Sequence, residues 1–421
     1  MLRLLAFIGA FVASILTLSN SSNAETSITF YHYQSGSSYT AFRKILDGFE
    51  AEHRGIKVKD IFSQSEQITA EVQTALAARR PVDIATVIGK NIVYFVNNTP
   101  AVPLNADPGK AGFLAEDLPN FLDIGRSGEK VFAVPHAYGT PMLYYNKDMF
   151  RAAGLDPETP PRTWDEVTKA AVAIHEKLRA PGFAHLLASM KDYGTMLFVM
   201  NAGSPYLSAD GSCALFDTPQ GIKALQLWQD LVATYKVTPI ANDRQYMAAF
   251  NAGQLAMFVN SSAGLASTVQ VTKGKFELGV GNYPRFVESE ARKLPNSGAA
   301  LMLYAPPGER RDAALALLAY LSRREVSNLW ARESGYMPLA KDPLGDPAMA
   351  AYVEGFPLVK PVIAQMAETV PTATWGEHGA LEAQTIVSNL IDDLWAGHKS
   401  AAELVPPAVA AMNAAMGCTR R

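Results

Sequence analysis

From residue 27 onward the apolar positions switch between a two-residue and a three-to-four-residue period, which predicts strands alternating with helices. Ser27 to Tyr33 (SITFYHY) is a β-prone run, and Phe42, Ile45, Leu46 and Phe49 follow it at helical spacing. Gly55 ends that helix. Ile56 to Phe62 then reads as a second strand, Ile68, Val72 and Leu76 mark a second amphipathic helix, and Val82 to Val87 form a third strand. Alternation of this kind predicts an α/β fold with a parallel sheet covered by helices.

Between Val131 and Asn146 the pattern changes to two extended runs joined through Pro135, Gly139 and Pro141, a passage suited to carrying the chain from one lobe to another. Thr163-Trp164-Asp165-Glu166 fits a capping box and predicts a helix start sharpened by Pro161. Thr218-Pro219 opens a further helix whose inward face is expected to be Ile222, Leu225, Trp228, Leu231, Val232 and Tyr235. Leu255 to Val259 is a short apolar strand that runs into Asn260-Ser261-Ser262-Ala263-Gly264, a strand-to-helix junction with hydroxyls and free N–H groups. Asp312 to Arg323 is an apolar helix, with a turn at Ser334 to Pro338 soon after it.

The first 24 residues read differently. Arg3, an apolar run from Leu4 to Leu18 and Ser22-Asn23-Ala24 form an export signal with a small-x-small cleavage pattern. The run is shorter than the roughly 20 residues needed to span a bilayer, and the absence of a nearby cysteine argues against a lipid anchor. The expected location is a periplasm. Removing 24 of 421 residues leaves about 397, which suits two lobes of ~150 to 200 residues each. The formal charge of -3 becomes -4 without Arg3, and no long basic run occurs, so neither nucleic acid nor an anionic membrane surface is an expected partner. Cys213 and Cys418 are either one disulfide, tying the C-terminal tail to a lobe, or two free thiols; their spacing is not that of a metal or redox site.

Signatures of catalysis are lacking: no phosphate-cradling G-x-x-x-x-G-K-[ST] loop, no H-E-x-x-H and no G-x-S-x-G. The seven histidines never form a local ligand pair, so no metal and no cofactor is expected. His32 and His136, both at predicted strand ends, read best as structural. The adjacent carboxylates Asp165-Glu166 and Asp392-Asp393 lie on predicted helices, where neighbours diverge, and read as solvated faces. A secreted hydrolase using a carboxylate pair or Ser261 and Ser262 is the alternative reading. What stands out instead is aromatic and hydroxyl side chains at strand ends and turns: Tyr31, Tyr33, Tyr138, Ser262, Tyr336 and Trp375. Aromatic faces suit the apolar side of a sugar or polyol, and hydroxyls suit its polar edge.

The run Gly139 to Ala171 (GTPMLYYNKDMFRAAGLDPETPPRTWDEVTKAA) closely resembles the family 1 extracellular solute-binding proteins of ABC importers. Phe250-x-x-Gly253, the Asn260-Ser261-Ser262 junction and Ser334-Gly335-Tyr336-Met337-Pro338-Leu339 extend the likeness over essentially the whole mature chain. Within the family it is most similar to the glycerol-3-phosphate-binding members. The resemblance implies a type II periplasmic binding fold: two lobes, each a β-sheet flanked by helices, closing over a ligand at a hinge and then docking on the transmembrane subunits of a permease. It implies lobes of residues 25–137 with 285–328 and 138–284 with 329–421, and a monomer that performs no catalysis.

By position, the resemblance assigns Ser262, Gly298 and Tyr336 to ligand contacts. Departures fall at Ser65, where those members have tyrosine, at Gly89 (glutamate), at Tyr138 or Gly139 (serine), and at Trp375-Gly376 (a phosphate-binding arginine). Losing a charge-assisted donor of about 1.5 to 3 kcal/mol disfavours a phosphate. The expected ligand site is therefore Tyr33, Ser65, Tyr138, Ser262, Gly298, Tyr336 and Trp375, holding a small polar solute of the sugar, polyol or glycerol-phosphate type.

Overall fold

The computed structural model describes residues 25–64, 67–116, 125–185, 190–287, 293–340, 342–376 and 378–419. The putting-together of the first half follows the apolar pattern closely. Thr26–His32 and Ile56–Phe62 pair in parallel, and Ile84–Ile88 flanks the first of them on its other side. Helix Gly36–Glu52 buries Ala41, Phe42, Ile45, Leu46 and Phe49, the three-to-four spacing of a single helical face. Helix Ile68–Ala77 buries Ile68, Val72 and Ala75.

The sheet is mixed rather than parallel. Its order is Ile56–Phe62, Thr26–His32, Ile84–Ile88, Ser297–Leu303, Ala133–Gly139, and Ser297–Leu303 runs antiparallel to both neighbours. That strand does not arrive by a strand–helix–strand crossover, whose geometry would make it parallel. It returns from the second sheet, free to enter in either direction. Helices Glu309–Ser322 and Arg324–Ser334 then cover the same sheet; the second packs on Gly36–Glu52 and ends at Gly335 in the left-handed conformation (φ 81°).

Strand Ala133–Gly139 belongs to this first sheet, whereas Pro141–Asn146 lies in a second, ordered Leu278–Asn282, Pro141–Asn146, Met257–Ser261, Phe183–His185. Only Thr140 separates the two strands. Every residue of Pro141–Asn146 is buried because helices cover both faces of the sheet. Met142 and Tyr144 pack into one apolar cluster with Phe250 and Phe258; Leu143 and Tyr145 pack into another with Trp164, Phe198 and Trp228.

The capping box forms as the sequence predicts: Thr163 Oγ1 accepts from Glu166 N (3.2 Å), and Glu166 Oε2 accepts from Thr163 N (3.2 Å), opening helix Trp164–Leu178. Helix Pro219–Gln229 likewise starts on Thr218, whose hydroxyl accepts from Gly221 N. Its face departs from expectation at one end. Leu225, Trp228, Leu231 and Val232 are buried, but Tyr235 is 44 % exposed. The chain widens into a π turn over Asp230–Thr234, which rotates later side chains off the face that a 3.6-residue period projects.

Cys213 and Cys418 are joined in a disulfide with Cα atoms 5.2 Å apart. Beside it the Asn413 amide bonds both backbone groups of Ala214 (2.7 and 3.1 Å), seating the terminal helix Ala401–Ala415 on the body of the protein. No helix among the described residues is long and apolar enough to cross a membrane.

Candidate functional site

In open α/β sheets, ligands meet the carboxyl ends of the strands. Strand Ile84–Ile88 ends in the turn Gly89–Asn91, which presents Lys90. Facing it, helix Lys191–Asn201 begins with two charges that diverge. Lys191 pairs with Asp392 (2.6 Å) and lies over the Trp395 ring, while Asp192 approaches Lys90, its carboxylate 3.8 Å from the ammonium. Lys90, Asp192, Tyr193, Met196, Asn296, Gly298, Thr372 and Trp375 line a pocket of about 130 Å³. The Tyr193 hydroxyl donates to the Pro295 carbonyl (2.8 Å), and Asn296 Oδ1 accepts from Thr372 N (3.0 Å), so the wall is fixed by its own hydrogen bonds.

Trp375 is buried against Tyr206 in an edge-to-face contact (centroids 5.7 Å apart), and its indole N–H has no hydrogen-bond partner among the described residues. Its backbone rests on Gly211: Gly376 N donates to Gly211 O (3.0 Å), and a Cβ on Gly211 would run into the Thr374 carbonyl and lie 2.6 Å from Gly376 N. Only glycine permits that approach. Gly211 lies two residues from Cys213, so the disulfide steadies the loop that positions Trp375.

Next to the pocket is a cluster of tyrosines. Tyr33, Tyr138 and Tyr336 lie close together, their hydroxyls within electrostatic reach of one another. Burial pushes all three phenols above their ordinary range, most strongly at Tyr33 and Tyr138, so they act as neutral hydroxyls. Tyr336 is set by stacking on Trp330 (5.6 Å), which stacks on His136 (5.0 Å) and donates its N–H to the His136 carbonyl (2.9 Å). The cluster and the pocket meet where Gly298 pairs with Tyr138 across the sheet; a Cβ there would collide with the Ala137 carbonyl and stand 2.6 Å from the Tyr138 ring.

The structure thus brings Gly298 and Trp375 to the pocket and Tyr33, Tyr138 and Tyr336 to its flank. Ser262 is buried and does not line the pocket: its hydroxyl accepts from Thr140 N (3.2 Å), and its own N–H donates to Thr140 O (2.8 Å). Ser65 lies outside the described residues. Tyr31 is a core residue. Both junction serines are engaged by the backbone, since Ser261 Oγ accepts from Ala263 N. His32 and His136 are buried among stacked rings; burial lowers His32 despite Asp60 at 3.4 Å, and burial lowers His136 to about 3. No cluster of three or more metal-ligating side chains occurs among the described residues.

Lys90, Asp192, Tyr193, Asn296 and Thr372 escaped the sequence reading. Lys90 had a usable signal, since it stands within a few residues of the carboxyl end of a strand. Nothing local marks Asn296 or Thr372, which approach each other only through the fold.

Two helix-covered sheets joined by a direct strand-to-strand crossing at Thr140, with a pocket at their junction, define a type II periplasmic solute-binding protein. The chain belongs to the bacterial extracellular solute-binding protein family, whose model matches residues 34–327, and this family supplies the periplasmic capture components of ABC importers. It is similar to the sn-glycerol-3-phosphate-binding periplasmic protein UgpB of Yersinia pseudotuberculosis, 26% identical over 92% of each chain, and to UgpB of Escherichia coli K12, 24% identical over 94% of this chain and 93% of that one. Among solved structures it is similar to the cyclic alpha-maltosyl-1,6-maltose binding protein of Arthrobacter globiformis (TM-score 0.82, 24% identity, 93% and 99% of the two chains). UgpB of Mycobacterium tuberculosis in complex with glycerophosphocholine gives a TM-score of 0.81 at 20% identity, over 93% and 98%.

Proposed function

We propose that this protein captures a small polyhydroxylated solute, of the sugar, polyol or glycerol-phosphate type, and hands it unchanged to the transmembrane subunits of an ABC permease. The observation that carries this reading is the pocket itself: one aromatic wall at Trp375, charged groups at Lys90 and Asp192, and glycine backbone at Gly89 and Gly298. Such a lining pairs an apolar ring face with polar edges. At about 130 Å³ the pocket is well below the roughly 300–1,000 Å³ of sites for drug-sized ligands, which favours a ligand of one sugar ring or less.

In this reading two lobes close as a monomer over the ligand, and a ligand that prefers the closed form shifts the population toward it. The lobes in this reading are residues 25–137 with 285–328 and 138–284 with 329–421. No chemical step is assigned: the junction serines hold backbone N–H groups, and the site needs only to bind. The relatives' names, one for glycerol-3-phosphate and one for a cyclic maltoside, bracket the ligand class without choosing within it. The test is a thermal-shift screen of sugars, polyols and glycerophosphates on the mature protein, followed by titration of the best hit. A midpoint that no solute raises, or turnover of any solute, rejects the proposal.

A further inference from the structure

Lys90 and Asp192 are the only charged side chains lining the pocket among the described residues, and they face each other from opposite sides of it. Their charges cancel. At 3.8 Å the ammonium and carboxylate are too far apart for a direct hydrogen bond. Loose pairs of this kind add little to folding, so little is lost when a ligand takes the place between them. Lys191, the nearest other cation in sequence, is committed to Asp392 and turned over Trp395.

Resting on the capture reading above, we infer that the Lys90–Asp192 pair is the charge discriminator of the pocket and selects an uncharged vicinal diol over a phosphate ester. One hydroxyl of a diol accepts from the Lys90 ammonium, and its neighbour donates to the Asp192 carboxylate. Both charges then remain satisfied, and the apolar face of the ligand lies toward Trp375. A phosphate monoester fares worse. Bound at Lys90, its charge sits beside the Asp192 carboxylate, which is 17 % exposed, and like charges there repel strongly. No second cation among the described residues lines the pocket to offset that repulsion.

The pair also explains why tolerance of an anion should be one substitution away. Asp192→Asn keeps the shape and an acceptor oxygen but leaves Lys90 as an uncompensated cation. Lys90→Met keeps much of the side-chain volume and removes the donor. Neither residue belongs to an apolar core, so both variants should fold, which matching unfolding midpoints would verify.

The experiment titrates wild type, Asp192→Asn and Lys90→Met calorimetrically with glucose, glycerol, myo-inositol, glucose 6-phosphate and sn-glycerol 3-phosphate. Wild type is expected to bind its best neutral ligand at least about ten-fold tighter than the best phosphate ester. Asp192→Asn is expected to shift that ratio at least ten-fold toward the esters, and Lys90→Met to weaken the neutral ligand by a comparable factor. Tighter binding of a phosphate ester by wild type, or an unchanged ratio in Asp192→Asn, overturns the inference and leaves capture itself standing. Wild type that binds no member of the panel overturns the inference as well, and with the broader thermal-shift screen also negative, the capture reading falls too.

Discussion

The side-chain amide of Gln365 donates to the hydroxyl of Thr140 at 3.0 Å, at the single residue between the strands of the two sheets. The same amide donates to the Pro141 carbonyl (2.9 Å), and its oxygen accepts from Tyr283 N (2.6 Å), just after strand Leu278–Asn282 ends. Gln365 is fully buried and thereby fixes two chain crossings to one helix. Gln365→Leu leaves a backbone N–H, a carbonyl and a hydroxyl short of a partner, at about 1–3 kcal/mol for each fully unsatisfied group. Stability should fall by about 2–5 kcal/mol in urea unfolding; a loss under about 1 kcal/mol would show that water or a neighbour replaces the amide.

Trp375 and Tyr336 probe the two parts of the site separately. Trp375→Leu keeps apolar volume against Tyr206 but removes the aromatic face and the N–H, so ligand affinity should drop about ten-fold, or roughly 1.4 kcal/mol. Tyr336→Phe keeps the stack on Trp330 and removes one hydroxyl, with an expected loss of about two- to ten-fold, the worth of one net hydrogen bond. Unchanged affinity in Tyr336→Phe would confine the ligand to the Trp375 side; unchanged affinity in both would refute the site.

Acid should weaken the fold through its buried histidines. Burial lowers His136 and His185 to about 3, so each stays neutral in the fold yet binds a proton near 6.5 once unfolded. Between about pH 3 and 6.5 the unfolded state holds more protons, and stability rises with pH; it is therefore lost as pH falls from 6.5 toward 3. The slope is up to ~1.4 kcal/mol per pH unit for each ring. His136→Phe preserves the stack on Trp330 and should flatten the loss between pH 7 and pH 5 in urea unfolding, and a slope identical to wild type would contradict this account.

Reduction should loosen the Trp375 wall. The Cys213–Cys418 link spans 205 residues, for which the chain-entropy account gives about 5 kcal/mol of stability. Cys418→Ser, or wild type in reductant, should unfold at a lower temperature, and ligand binding should weaken along with it because Gly211 supports Trp375. Equal midpoints with and without reductant would argue that the tail is held by Asn413 and helix packing alone.

The local part of this structure was legible because it depends on neighbours in sequence. The apolar spacing of Phe42, Ile45, Leu46 and Phe49, the Thr163–Glu166 capping box and the Thr218-Pro219 start each act within a few residues, and each stands where the sequence places it. Tyr235 failed for the same reason in reverse: a periodic rule cannot anticipate the π turn that ends the period.

By itself, the sequence determined the α/β class, the crossing between Val131 and Asn146, and the family, since all three reside in short-range patterns and motifs. Tertiary structure alone decided that Ser297–Leu303 enters the first sheet antiparallel, that Cys213 meets Cys418, and that Lys90 faces Asp192 beside Trp375. Those relations join residues more than a hundred positions apart, and a side chain carries no local mark of a partner that only chain closure brings within reach.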